Sequence, residues 1–195
     1  MNEDRFTFFW HGPFSQWHTC RFRADLLEGE CPRSYAKPQN TFLDGYNCAE
    51  QYMMERKALL FRDFEMATRI RFAATPREQK ALGRKVRDFD AAKWNAAARD
   101  IVFRGNWAKF TQNDGLREEL LATRGTTLVE ASPVDTIWGI GLAKDDPRAQ
   151  DRATWLGTNW LGEVLTAVRD AIEFHSDRGS LDKEKPPGPP RPWSS

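Results

Sequence analysis

The sequence predicts a helix-rich α+β fold: a single compact domain with a few short strands. Three observations carry that prediction. A long central stretch places its apolar residues at helical spacing, short aromatic or β-branched runs flank it, and the composition is ordinary for a packed soluble domain. With 195 residues, 40% of them hydrophobic and 29% charged, one core fits the length. The domain is expected over residues 1–175, followed by a mobile Pro-rich tail over 176–195.

Residues 6–10 form an aromatic run ahead of Gly12 and Pro13, which predicts a strand entering a turn. Gly29, Pro32 and Pro38 mark residues 28–39 as a surface loop, and 41–46 reads as a second short strand. From Asn47 the helix formers take over without Gly or Pro, predicting a helix over 48–60 with Asn47 as its N-cap. Asp63 is placed to cap a second helix through Ile70, and Thr75, Pro76 and Glu78 spell the capping box of a third that stops near 83–86. Asp90 opens a fourth, read through Trp94, Ala98 and Ile101 to Gly105 and resuming to Gln112. Another helix spans 114–124 and ends at Gly125.

Residues 126–131 return to strand composition, and 137–140 predict a further short strand beyond the turn Ser132-Pro133-Val134-Asp135. Leu161, Val164, Leu165 and Val168 then give the last helix, over 161–174. Past His175, the run Lys185-Pro186-Pro187-Gly188-Pro189-Pro190 buries too little apolar area to offset its ordering entropy, hence the mobile tail. A proline-motif ligand is the functional alternative for it.

The 29 basic residues nearly cancel the 28 acidic ones, leaving a formal net charge of +1. No global field holds such a chain on a polyanion, so a stable nucleic-acid partner is not expected, while nucleic acid as a substrate at a local site is allowed. Cys20, Cys31 and Cys48 lack a CxxC pair, and His11, His18 and His175 lack helical metal spacing. Neither a metal nor another cofactor is expected. No apolar run approaches the roughly 20 residues that span a bilayer, and residues 1–5 do not resemble a secretory signal, so no membrane association and an intracellular, cytoplasmic or nuclear location are expected.

Chemistry concentrates in two places. Glu50 and Lys57 are seven residues apart, nearly two helical turns, so both project from one face about 10 Å apart along the axis. Met53 and Met54 share that face and turn it toward the core, where an acid and an amine acquire perturbed proton affinities. An ordinary charge pair on a solvated face fits the same spacing. The second place is Glu130 to Gly141, where Ser132, Asp135, Trp138 and Gly139 crowd into a strand-turn-strand, and glycine permits a ligand to approach the backbone. A structural hairpin acid is the alternative for Asp135.

The runs Tyr46-Asn47-Cys48-Ala49-Glu50-Gln51-Tyr52-Met53-Met54, Lys57-Ala58 and Gly105-Asn106-Trp107-Ala108-Lys109-Phe110 with Gln112-Asn113 resemble the NADAR family. So do Val129-Glu130-Ala131-Ser132-Pro133 with Asp135, Ile137-Trp138-Gly139-Ile140-Gly141, and Trp155, Gly157, Asn159 and Leu161-Gly162, all in family order. The resemblance implies the fold of the N-glycosidases that act on riboflavin-pathway intermediates; other members remove ADP-ribose from guanine in nucleic acid. It also implies Glu50, Lys57 and Asp135 as catalytic residues. Phe14, Ser15, Trp17, Asn47, Trp94, Ser132, Trp138, Gly139 and Asn159 are the expected substrate contacts. Gln16 departs from the usual Phe-Ser-Asn-aromatic pattern at 14–17.

The expected reaction is hydrolysis of the bond between a phosphorylated ribose and a base. Lys57 forms a Schiff base at C1, Glu50 moves protons, and Asp135 holds the ribose or activates water. A carboxylate pair, Glu50 with Asp135, is the rival route. ADP-ribose on guanine, in an ADP-ribosylated nucleic acid or nucleotide, is the preferred substrate, because Trp10, Trp17 and Trp107 offer a broad stacking surface, with core packing the expected role of at least one of them. A riboflavin-pathway phosphoribosylaminopyrimidine is the alternative substrate, and a non-catalytic ADP-ribose-binding module is the alternative of another class.

Overall fold

The computed structural model describes residues 5–24, 45–183, 185–190 and 193. The loop expected over 28–39, residues 41–44 of the expected second strand, and Cys31 lie outside these. The described residues form six α-helices and two short parallel strands, a helix-rich α+β arrangement as the patterning predicts. The chain divides into two compact units. Of the described residues, one holds 5–18, 114–181, 187–190 and 193, and the other 19–24, 45–113, 182–183 and 185–186.

The second unit is helical. Helix α1 spans Ala49–Leu60, α2 Phe64–Phe72, α3 Pro76–Gly83 and α4 Ala91–Thr111. Three starts are capped as read: Asp63 accepts from Met66 N, Thr75 from Glu78 N and Asp90 from Lys93 N. Each side chain satisfies an amide that the first helical turn leaves without a partner. The start of α1 differs. Cys48, not Asn47, is the N-cap and its side chain makes no capping bond, while Gln51 Oε1 accepts from Asn47 N at 2.9 Å. The reciprocal glutamine fills the gap, and the Asn47 amide turns to Ala74 O and Gln79 Nε2 at 3.1 and 3.0 Å. Helix α4 runs unbroken through Gly105, whose missing side chain admits the Tyr52 ring, since a Cβ there would stand 2.5 Å from it.

Helix α1 lies among α2, α3 and α4 with all but two of its residues buried, including Glu50, Gln51, Glu55 and Arg56. Buried polar groups require partners. Gln51 Nε2 donates to Arg71 O at 2.9 Å, Tyr46 Oη donates to Glu55, and Arg56 lies over the Tyr52 ring at 4.7 Å. Phe22 and Tyr46 form an antiparallel bridge and pack with Tyr52 and Ala108. The side-chain amides of Gln112 and Asn113 clasp the backbone of Arg23 and Arg21.

In the first unit β1 (Phe6–Phe9) pairs in parallel with β2 (Thr127–Glu130), Phe6 opposite Thr127. Helices α5 (Asp114–Leu121) and α6 (Trp160–Asp177) belong to the same unit. The crossing of α6 with β2 is very close: a Cβ on Gly162 would come within 2.1 Å of Leu128 O. Asn159, in the left-handed conformation at φ 54°, donates from Nδ2 to Leu128 O and accepts at Oδ1 from Glu130 N, at 3.0 and 2.9 Å. Asn tolerates that backbone conformation better than most residues.

The second strand expected over 137–140 is absent. The carbonyls of Thr136, Ile137, Trp138, Gly139 and Ile140 all accept from amides within 156–161, at 2.9–3.2 Å. That pairing satisfies the otherwise unpartnered first amides of α6, Trp160 and Leu161, and draws these carbonyls away from a hairpin with β2, to which Ile140 N donates at Glu130 O at 3.0 Å. The polar loop after it contains 3-10 turns at Pro147–Gln150 and Arg152–Thr154.

Asn159→Ala removes both bonds to β2 and places alanine at positive φ. A loss of about 2–4 kcal/mol is expected in urea unfolding, from two stranded backbone groups; a loss under about 0.5 kcal/mol contradicts this role. Lys109 gives a second test, because it is fully buried (0% exposed) and desolvation pushes its amine down from 10.5 to about 8. Between those values the unfolded chain binds the proton more tightly, so stability rises as pH climbs through about 8 to 10.5, by roughly 3 kcal/mol for a shift of this size. Below pH 8 the full cost of the buried charge persists. Urea midpoints between pH 7.5 and 9.5 should therefore climb more in the wild type than in Lys109→Met, and parallel profiles contradict the charge burial.

Candidate active site

Glu50 is 5% exposed in the first turn of α1, and Lys57 is half-buried in its last. The two are electrostatically coupled. Burial lowers the proton affinity of the Lys57 amine, the Glu50 carboxylate raises it, and the Arg84 guanidinium lowers it again. The Lys57 ammonium lies 4.2 Å from the centre of the Phe89 ring and 5.6 Å from that of Trp94, which is itself buried. Phe89 in turn packs on Phe61, with centroids 5.4 Å apart. An aromatic slot thus fixes the amine in place. Cation–π contact favours the charged form by about 0.5–2 kcal/mol and desolvation opposes it, so protonated and neutral forms are brought closer in energy than in water.

Sequence patterning marks Trp94 but not Phe89 or Arg84. Phe89 lies in the loop 84–90 without periodicity, and Arg84 looks like one more basic residue at a helix end. Only their placement against Lys57 distinguishes them. Asn47, expected as a substrate contact, has both atoms of its amide engaged by Ala74 and Gln79, and so joins the start of α1 to α3. Cys48 donates to Gln79 Oε1 at 3.1 Å, and burial pushes its thiol up to about 11, which keeps it a thiol rather than a nucleophilic thiolate.

The other expected residues belong to the first unit. Asp135 Oδ1 accepts from Ile137 N and Trp138 N at 3.0 and 2.8 Å, an Asx turn, while Oδ2 takes no part in it. Ser132 is buried. Trp138 is half-buried and meets Trp160 edge-on at 5.7 Å. Gly139 is required by packing, because a Cβ there would crowd Glu130 O at 2.9 Å and Ser132 Cβ at 3.0 Å. Asn159, expected as a substrate contact, has both atoms of its amide engaged by β2 and so positions that strand.

Phe14 packs edge-on against Phe9, and Ser15 Oγ accepts from Trp17 N at 3.1 Å, shaping the turn that presents Trp17. Trp10 and Trp17 are 44% and 43% exposed, and Trp10 stacks on His11. Trp107 does not share their exposure: it is buried, with Nε1 donating to Asp182 O at 3.0 Å. Of the three indoles, Trp107 thus takes the core role expected of at least one, and Trp10 and Trp17 are exposed. Among the described residues no group of three His, Cys, Asp or Glu side chains could hold a metal ion, and no helix is long and apolar enough to cross a membrane.

Comparison with known proteins places these features in a family. The chain is 38% identical to Protein irg-1 of Caenorhabditis elegans, over 94% of this chain and 91% of that protein. It is 40% identical to N-glycosidase R617 of Acanthamoeba polyphaga mimivirus, over 87% and 98% respectively. The NMR structure of the E. coli protein YbiA shares the fold, with a TM-score of 0.64 at 21% identity, over 93% of this chain and 92% of that one. The NADAR domain matches residues 8–173, and the chain belongs to the NADAR family.

Proposed function

We propose that this chain is an N-glycosidase that hydrolyses the bond between C1 of a phosphorylated ribose and a base nitrogen, with Glu50 and Lys57 performing the chemistry. The observation that carries the reading is the buried carboxylate of Glu50 coupled to an amine of lowered proton affinity on the same helix. Support also comes from the similarity to a protein named as an N-glycosidase.

When C1 bears an amine nitrogen, that nitrogen's lone pair expels the ring oxygen, which takes a proton from Glu50, and an open-chain imine results. Neutral Lys57 adds to C1, and its departing proton returns through Glu50 to the base nitrogen, which leaves as the amine. Water then adds to the Lys57 imine with Glu50 accepting its proton, Lys57 departs, and the sugar closes. The preferred substrate is ADP-ribose on guanine, because the exposed indoles of Trp10 and Trp17 offer more stacking surface than a ribose monophosphate requires.

Purified protein is incubated with ADP-ribosylated guanine nucleotide and with a phosphoribosylaminopyrimidine, and released ADP-ribose or ribose 5-phosphate is followed by chromatography. Glu50→Gln should lower kcat by about 10²–10⁴-fold, the usual range for a lost general acid–base, with little change in thermal midpoint. Borohydride added during turnover should fix sugar on Lys57 in the wild type and on nothing in Lys57→Ala. Full activity in Lys57→Ala would rule out the imine route. Because desolvation lowers the amine's proton affinity, the rising limb of kcat with pH should lie below the range of a free lysine. A limb at or above 10.5 contradicts a neutral Lys57 nucleophile.

A further inference from the structure

We propose that Arg84 anchors the phosphate of the substrate's ribose 5-phosphate or ADP-ribose group while C1 meets Lys57, an inference that rests on the glycosidase reading above. The placement follows from how α3 lies along α1. Gln79, fully buried, accepts from Cys48 Sγ and donates to Asn47 Oδ1, which sets the beginning of α3 beside the beginning of α1. One turn later the backbone of Gly83 rests on Met54, and a Cβ there would stand 2.1 Å from its Sδ. Four residues along α3 thus match six along α1, about 6 Å against 9 Å of helix rise, so the two helices advance in the same direction. Arg84 comes next, level with the turn of α1 that carries Lys57.

Its surroundings leave the guanidinium available. Among the described residues the nearby carboxylates Asp63 and Glu65 pair with Arg87, at 2.8 and 3.8 Å, and Arg84 itself is exposed without an ion pair. Complementing the end of α3 does not account for it either. The carbonyls of Lys80 and Leu82 already accept from Arg84 N and Lys85 N, at 3.1 and 2.8 Å. The Lys57 ammonium therefore lies within electrostatic reach of a second cation, Arg84, and of one buried acid, Glu50, two positive charges against one negative. A phosphate dianion complements that excess positive charge, and a planar guanidinium grips its oxygens in pairs. Lys57 is left for the sugar carbon.

The test compares wild type, Arg84→Gln and Arg84→Lys in binding ribose 5-phosphate, ADP-ribose and unphosphorylated ribose by calorimetry, and in kinetics on a phosphorylated and a dephosphorylated N-riboside. Arg84→Gln should raise Kd and KM for phosphorylated ligands about 10- to 100-fold, as expected for lost charge-assisted bonds, with kcat within a few-fold and dephosphorylated riboside unaffected. Arg84→Lys should recover part of the affinity. Tighter wild-type binding of ADP-ribose than of ribose 5-phosphate assigns the diphosphate as the natural anchor; the reverse order assigns the monophosphate.

Equal losses on phosphorylated and dephosphorylated substrates, unchanged Kd in Arg84→Gln, or no binding of either phosphate by the wild type each overturn the anchor. Arg84-dependent binding of ribose 5-phosphate without hydrolysis of any N-riboside would overturn the glycosidase reading and leave a sugar-phosphate site. Glu50-dependent hydrolysis indifferent to Arg84 would do the opposite.

Discussion

A helix carrying charged and amide side chains is buried on nearly every side, and the helical unit depends on meeting those groups. Helix α1 buries Glu50, Gln51, Glu55 and Arg56 together with its methionines and alanines. An unsatisfied buried polar group costs about 1–3 kcal/mol, so their partners are as necessary to the packing as the apolar contacts. Tyr46, Arg71 and Asn47 supply several of them. The same requirement fixes α1 in rotation and translation, and so fixes where Glu50 and Lys57 project.

Much of this was legible in the sequence wherever the signal was local. Asp63, Thr75 and Asp90 cap the helices they announce, because capping depends on residues three positions apart. Asn47 misleads for a reason that is equally local: Gln51 competes for the same end of the helix and wins it. The missing strand at 137–140 is a different failure. β-branched and aromatic residues read as a strand there, but the carbonyls are engaged by a segment some twenty residues later, which no local pattern encodes. Arg84 and Phe89 were invisible for the same reason, since the pairing of α3 with α1 and the course of the 84–90 loop give them their meaning.

In the strand-bearing unit, the residues that carry the family resemblance are largely explained by close backbone approach. Gly139, Gly157 and Gly162 each stand where a Cβ would collide with main-chain oxygen, and Asn159 ties the strand to the helix. Asp135 holds its own turn with one carboxylate oxygen. Motif and chemistry therefore separate between blocks: a motif residue can mark a place where backbones touch. In the helical unit the blocks hold both kinds, Gly105 admitting a ring and Glu50 facing an amine.

The pair on α1, a buried Glu50 and a half-buried Lys57, bears on a requirement of the proposed chemistry, a protonated acid and a neutral amine at the same moment near neutral pH. In water the opposite pair, carboxylate and ammonium, is favoured by about six pKa units. Desolvation penalises each charge separately, and passing one proton from Lys57 to Glu50 replaces a buried and a half-buried charge with two neutral groups. The mutual attraction of the ions resists that transfer. The slot of Phe89 and Trp94 keeps the ammonium from being lost altogether.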